Sequence, residues 1–255
     1  MKYAILGGSF NPVHIGHLYL ADTVLTRLGY HRIILVPAFQ SPFKLGEETA
    51  SPKDRLDMLA ASIAGDPRLT IDDCEIRREG VSYTIDTIAD IGKRYRPQGR
   101  PALILGDDLA GAFHRWRSAG AIAEQADIII ARRFLGGPAP SFPFPYTGLD
   151  NEVMNVSSRL VREMILQGGN WRFMVPSGVR DIIESRGLYG LEEDRIGKLE
   201  ASGEKIELET ILDVEKAARK MLSPPRFLHS RNTALLARDL CLRFNLDPRK
   251  GYLAG

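Results

Sequence analysis

Two histidines three residues apart, His14 and His17, follow a pair of glycines, Gly7 and Gly8, in the stretch 2–17 (KYAILGGSFNPVHIGH). That spacing puts both imidazoles on one face of a first helical turn. The apolar run 3–6 ahead of the glycines reads as a strand. Residues 15–28 after them carry Leu18, Ala21, Leu25 and Leu28 at helical period. Glycines between strand and helix let a ligand approach the backbone closely, and the helix N-terminus offers free amides with partial positive charge. Two imidazoles and a row of amides at one point suit a polyphosphate. A pair of structural histidines beside a core helix is the plainer alternative. The glycines, Ser9, the Asn11–Pro12 turn and the strand-to-helix position together favour the chemical reading.

Other candidates follow along the chain. Lys44 stands in SPFK, on the loop after a second strand at 32–37 (RIILVP). A loop at the carboxyl end of a parallel strand is where open α/β sheets bind ligands. Ser157, Ser158 and Arg162 stand in VSSRLVRE. Either serine can cap the helix that starts there, and an arginine one turn in adds a bidentate anion donor. Asp107 and Asp108 follow a strand at 101–105; they either cap the next helix or hold ribose hydroxyls or a magnesium-bound water. Tyr83 and Thr84 stand at the entrance of a helix in VSYTIDTIADI, with Thr84 as its cap and Ile85, Ile88 and Ala89 facing inward. Trp116 is either core or a flat face for stacking on a heteroaromatic ring. Arg55 is either an exposed helix residue or one that reaches toward anions.

The elements that must carry these residues form an α/β chain. The run 32–37 is continuously apolar, as in a parallel strand buried on both faces. Strand, helix and strand at this spacing make a right-handed βαβ unit. Ser51 and Pro52 start a helix over 52–64. Short strands are expected at 69–71 and 74–76, further strands at 101–105, 127–131 and 152–156, and a glycine- and proline-rich loop at 134–145. The expected fold is therefore a Rossmann-like doubly wound parallel sheet.

At 255 residues the chain can hold one such domain and a smaller appendage. Its 44% hydrophobic and 26% charged content is that of a soluble globular protein. A net charge of +2 supplies no global basic field, so no nucleic-acid partner is expected and any anion site must be local. The two cysteines, Cys74 and Cys241, match no metal or redox spacing. No apolar run approaches membrane-spanning length, and the expected location is cytoplasmic. The sequence is compatible with a homo-oligomer and says no more about assembly.

Neither G-x-G-x-x-G nor the Walker lysine motif is present; what stands at the first turn is G-G-S-F-N-P-x-H-x-G-H. This resembles the signature of the nucleotidyltransferase superfamily. SYTIDT, GDD followed by Trp116, VSSRLVR and VPSGVRDIIESRGLY narrow the resemblance to the bacterial nicotinate-nucleotide adenylyltransferases, over residues 1–190. It implies transfer of the adenylyl group of ATP to nicotinate mononucleotide, giving deamido-NAD and pyrophosphate, with magnesium brought by ATP. It places Gly7, Gly8, Ser9 and Phe10 in the nucleotide cleft. His14 and His17 fall on the ATP phosphates with Lys44 and Arg162; Ser157 and Ser158 with Arg162, at a helix N-terminus, independently favour an anion such as the β- and γ-phosphates. Tyr83, Thr84 and Trp116 surround the pyridine ring, and Asp107 contacts nucleotide at the sheet edge. Asn11 stands where the broader superfamily often has aspartate, and Phe43 and Arg159 stand where this family often has histidine and threonine; none of the changes removes a charge the chemistry needs. The residues alone do not decide between nicotinate and nicotinamide; the resemblance favours nicotinate.

Residues 191–255 differ in composition. RFLHSRNTALLARDLCLRFNLDP resembles the opening of an HD-type metal-dependent phosphohydrolase, with His229 as its first ligand. The His-Asp dipeptide that should follow is missing, and one histidine cannot make a metal site. The expectation is a truncated helical segment without hydrolase activity. Three other functions compete for the main domain. Phosphopantetheine adenylyltransferases and cytidylyltransferases share the opening motif but would not be expected to carry SYTIDT with Trp116. A class I aminoacyl-tRNA synthetase would need a KMSKS-like loop and a tRNA-binding domain, and neither is visible. A nucleotide sensor without turnover would be expected to have lost His17, Lys44 or Arg162, and all three are present.

Overall fold

The computed structural model describes residues 1–43, 50–133 and 142–191, together with Ser230, Thr233, Ala234 and Ala237. Lys44, His229 and most of the loop 134–145 lie outside the described residues. The chain divides into two compact units, Met1–Glu193 and Asp194–Gly255. The first holds the sheet.

Six strands form one parallel sheet in the order β3-β2-β1-β4-β5-β6. They are β1 (Tyr3–Gly8), β2 (Arg32–Pro37), β3 (Leu69–Ile71), β4 (Ala102–Gly106), β5 (Asp127–Ala131) and β6 (Thr147–Leu149). The helices are α1 (Ile15–Leu28), α2 (Pro52–Ser62), α3 (Cys74–Arg78), α4 (Thr84–Tyr95), α5 (Asp107–Ala110), α6 (Ala119–Gln125), α7 (Ser158–Leu166) and α8 (Ser177–Ser185). This is the doubly wound α/β fold expected from the sequence. Its central strands are apolar throughout because each face of the sheet meets its own layer of helices.

Alternation along the strands sorts the core into two halves. Ala4, Leu6, Ile33, Leu35, Ile104 and Ile129 pack with Val24 of α1, Met58 and Leu59 of α2, Val161 of α7 and Val179 of α8. Tyr3, Ile5, Ile34, Val36, Leu103 and Ile128 pack on the opposite face with Cys74, Ile88, Ile91 and Ile122 from α3, α4 and α6. Chain order reverses between β1 and β4, so the crevice for a ligand opens above the carboxyl ends of those two strands.

Four local expectations are corrected. Residues 74–76 are helical, not a strand, because the buried Asp72 accepts the Cys74 N–H at 2.9 Å and starts α3. The last strand is Thr147–Leu149, and 152–156 carries no ladder. There the Asn151 side chain closes the sheet edge, accepting from Arg132 N–H at 2.9 Å and donating to Arg132 O at 3.0 Å. Tyr83, not Thr84, is the N-cap of α4, and it makes no side-chain cap bond. On α4 the buried positions are Thr87, Ile88 and Ile91, while Ala89 faces solvent. The predicted start of α2 holds: Ser51 accepts from Asp54 N–H at 3.0 Å and Pro52 is the first helical residue.

Candidate active site

The turn between β1 and α1 is held from several sides. Gly7 is exposed, and a Cβ added there would meet nothing within 4 Å, so the strand end opens onto the crevice. Phe10 follows with φ of +46°, a conformation a side chain adopts only where surrounding packing enforces it, and its ring is buried. Asn11 is buried too, and its side chain accepts from Ala50 N–H at 3.0 Å. His14 caps α1 with extended backbone, and its N–H donates to Nδ1 of His17 at 3.2 Å. That bond makes Nδ1 of His17 an acceptor, so the neutral ring carries its proton on Nε2. The two imidazoles stack with centroids 3.7 Å apart, and the Phe10 ring lies 4.9 Å from that of His17.

His14 is only 4% exposed, and its Nδ1 is buried without a hydrogen-bond partner among the described residues. Burial pushes its pKa down to about 3, with the positive charge of Arg133 acting in the same direction. Before any anion arrives, His14 is therefore a neutral imidazole. Gly16 leaves room beside it, since a Cβ there would sit 2.8 Å from Val156 Cγ1 and 3.1 Å from His14 Nδ1 and would have to displace them.

Helix α7 brings its N-terminus to the same turn. Ser157 is the cap, accepting from Leu160 N–H at 3.1 Å. Ser158 Oγ donates to Pro12 O at 2.8 Å, and Arg162 Nη1 donates to Asn11 O at 2.7 Å. The structure therefore gathers Gly7, Gly8, Ser9, Phe10, His14, His17, Ser157, Ser158 and Arg162 around one turn. Of the two serines left open by the sequence, Ser157 caps and Ser158 ties the helix to the turn. Arg162, expected to reach anions, spends one of its nitrogens on a backbone carbonyl.

Asp107 is the first residue of α5 and not its cap, which is Gly106. One of its oxygens accepts from Arg133 N–H at 3.0 Å, while the Arg133 guanidinium pairs with Asp108 at 3.1 Å. A Cβ at Gly106 would meet Asp108 Oδ1 and, at 2.6 Å, Arg133 Cδ, so a side chain there would have to push this pair aside. Arg133 thus lies at the carboxyl end of the sheet, with its charge felt at His14. The sequence shows Arg132–Arg133 directly after a strand but offers no signal to separate either from a surface cation.

The aromatic residues form a second group. Trp116 follows the short helical turn Phe113–Arg115, half-buried, with Phe113 at 5.1 Å and Phe43 at 6.1 Å between centroids. Its Nε1 is buried without a hydrogen-bond partner among the described residues. The guanidinium of Arg117 stacks 4.6 Å from the Tyr83 ring centroid and stands 3.7 Å from Asp86. Two bonds hold the loop before α4 against the loop after β2. Phe39 N–H donates to Ser82 Oγ at 3.0 Å, and Ser82 N–H donates to Gln40 O at 2.9 Å. The sequence gives no sign that Phe43 and Arg117 belong to this group, because their neighbours come from other parts of the chain.

Among the described residues no group of three or more His, Cys, Asp or Glu side chains is placed to hold a metal ion. No helix among them is long and apolar enough to cross a membrane.

Comparison with known proteins adds to this geometry. The pattern of the cytidylyltransferase-like family matches residues 5–164. A protein of Treponema pallidum named as a probable nicotinate-nucleotide adenylyltransferase is 40% identical over 202 residues, which is 74% of this chain and 99% of that protein. One of the same name from Geobacillus thermodenitrificans is 37% identical over 191 residues, covering 74% of this chain and 86% of that one. The nicotinic acid mononucleotide adenylyltransferase of Plasmodium falciparum, solved in complex with NaAD, has a TM-score of 0.63 at 18% identity, over 75% of this chain and 98% of that chain. That last likeness establishes the fold alone. By family pattern and by relatives, the chain belongs to the cytidylyltransferase-like family and within it to the nicotinate-nucleotide adenylyltransferases.

Proposed function

We propose that this enzyme joins ATP and nicotinate mononucleotide to give deamido-NAD and pyrophosphate. The observation that carries the reading is the convergence of the His14–His17 stack with the N-terminus of α7, which carries Arg162, at the open end of β1. The phosphate oxygen of the mononucleotide is already an anion and needs no general base. It attacks the α-phosphorus of ATP in line; a new P–O bond forms, the bond to the β-phosphate oxygen breaks, and pyrophosphate departs with the electron pair. Catalysis of this type rests on positioning and on stabilising charge at the phosphoryl oxygens.

The roles divide along the two groups of residues. Gly7, Gly8, Ser9 and Phe10 line the nucleotide cleft. His14 and His17 donate hydrogen bonds to the triphosphate, helped by Arg162, the amides at Ser157 and Ser158, and Lys44. Tyr83, Thr84 and Trp116 surround the pyridine ring, with Asp107 at the nucleotide. Magnesium enters as part of the MgATP substrate. The acid is preferred to the amide, and the guanidinium of Arg117 over Tyr83 supplies a positive charge at the rim of that subsite.

The test is pyrophosphate release from MgATP with the acid and amide mononucleotides side by side. Turnover with nicotinate mononucleotide and little with the amide is expected. Equal rates would remove the acid preference, and ATP binding without release under either condition would overturn the enzymatic reading.

A further inference from the structure

The guanidinium of Arg55 is buried in the first turn of α2, at 1% exposure. It donates to four backbone carbonyls: Ser9 at 2.9 Å, Ala38, Phe39 at 3.3 Å and Ala50 at 3.2 Å. These acceptors belong to three segments: the loop after β1, the loop after β2 and the entry into α2. No carboxylate pairs with it among the described residues. Burying a cation without a counter-ion is costly, and an apolar side chain would fill the same volume without that cost. What an apolar chain lacks, and a lysine also lacks, is a planar fork that holds several carbonyls at fixed separations.

The two loops it joins carry the two halves of the site. Beyond Ser9 come Phe10 and the His14–His17 pair; beyond Phe39 comes Phe43, facing Trp116. One backbone bond, from Ala38 N–H to Gly8 O at 2.9 Å, links the same loops directly. We infer that Arg55 is a positioning residue that fixes the separation between the phosphate-binding turn and the pyridine subsite, an inference that rests on the adenylyl-transfer reading above. Buried and with its fork on backbone carbonyls, Arg55 acts through the loops it joins. Its effect falls on the alignment of the attacking oxygen with the α-phosphorus, where a displacement of about 1 Å costs on the order of 10²-fold in rate.

The experiment compares the full-length wild type with Arg55→Lys, which keeps the charge and loses the fork. Steady-state constants are measured for MgATP and nicotinate mononucleotide, and amide exchange is followed by mass spectrometry. The expected result is a kcat reduced about 10²-fold with both KM values within about threefold of wild type. Exchange should accelerate in 8–13 and 38–40 but not in β4 or β5. Wild-type kcat and unchanged exchange in Arg55→Lys would overturn the inference, because charge alone would then suffice. A rise in KM with unchanged kcat would overturn it equally. If the wild type shows no turnover, the adenylyl-transfer reading fails, and the exchange pattern still decides whether Arg55 holds the loops. Should Arg55→Lys lose its cooperative unfolding transition, Arg55→Gln is read in the same way; loss of folding in both would make the residue a structural support and end the positioning claim.

Discussion

The two halves of the site are built to different standards. Around the first turn nearly every residue is buried or tied down: Phe10, Asn11 and His14 are core residues, and Ser158 and Arg162 bond the turn from another helix. Around Tyr83 and Trp116 the side chains are half-exposed, and the contacts are ring against ring or cation against ring. On the proposed reading the first half meets the triphosphate, a group whose geometry is the same in every nucleoside triphosphate. Fixed donors suit it, because donors placed in advance need no reorganisation during the reaction. On the proposed reading the second half meets a flat ring that differs from its competitor by one substituent, so apolar contact and the rim charge of Arg117 would do the selecting there.

Breaking the rigid half should cost the most. His17→Ala is expected to lower kcat by about 10²–10³-fold, the scale of one lost oxyanion-type donor, with an unchanged circular-dichroism spectrum. Retention of more than a tenth of wild-type turnover would show that the stack is structural. Arg162→Lys keeps the charge but not the fork, and a fall of about 10–10²-fold in kcat/KM for MgATP is expected from steady-state rates. Trp116→Ala should act on the other half alone. It raises KM for nicotinate mononucleotide about tenfold, on a stacking scale of about 1–3 kcal/mol, and leaves KM for MgATP as it was. Arg117→Gln, at an exposed position, should reduce the acid-to-amide ratio of kcat/KM only about two- to fivefold.

Stability against pH gives another contrast between the halves. His14 has its pKa lowered from 6.5 to about 3 on folding, so between those values the unfolded chain binds a proton the folded one refuses. Its contribution is complete above pH 6.5 and is lost as pH falls toward 3, at up to about 1.4 kcal/mol per pH unit. Urea midpoints measured from pH 7.5 to pH 5 should fall for the wild type and fall less steeply for His14→Gln.

The difference between the halves also governs what the sequence could reveal. Gly7 to His17 is one contiguous run, so its chemistry is legible in the order of the residues alone. The continuous apolar strand 32–37 is legible for the same reason. Arg55 is not: its acceptors at Ser9 and Ala38 lie 46 and 17 residues away, and a single arginine on a helix reads as surface until those loops fold over it. Asp72 shows another limit. Its carboxylate is held at 2.6 Å by Arg94 from α4, and that long-range bond stabilises the carboxylate that starts α3 where local pattern suggests a strand. The edge strand β6 is only three residues long, with a glycine at its centre, and only its partner β5 makes it a strand.

The bonds from Ser158 to Pro12 and from Arg162 to Asn11 span 146 and 151 residues. On the ribosome the glycine turn and both histidines therefore emerge long before the helix that completes them. At about 5–20 residues per second, the gap is on the order of ten to thirty seconds. Through that interval the nascent chain carries the histidines without Arg162, and on the proposed reading adenylyl transfer awaits the docking of α7. A ribosome-bound chain stalled before residue 157 should be silent toward MgATP, and one that has exposed residue 190 should not.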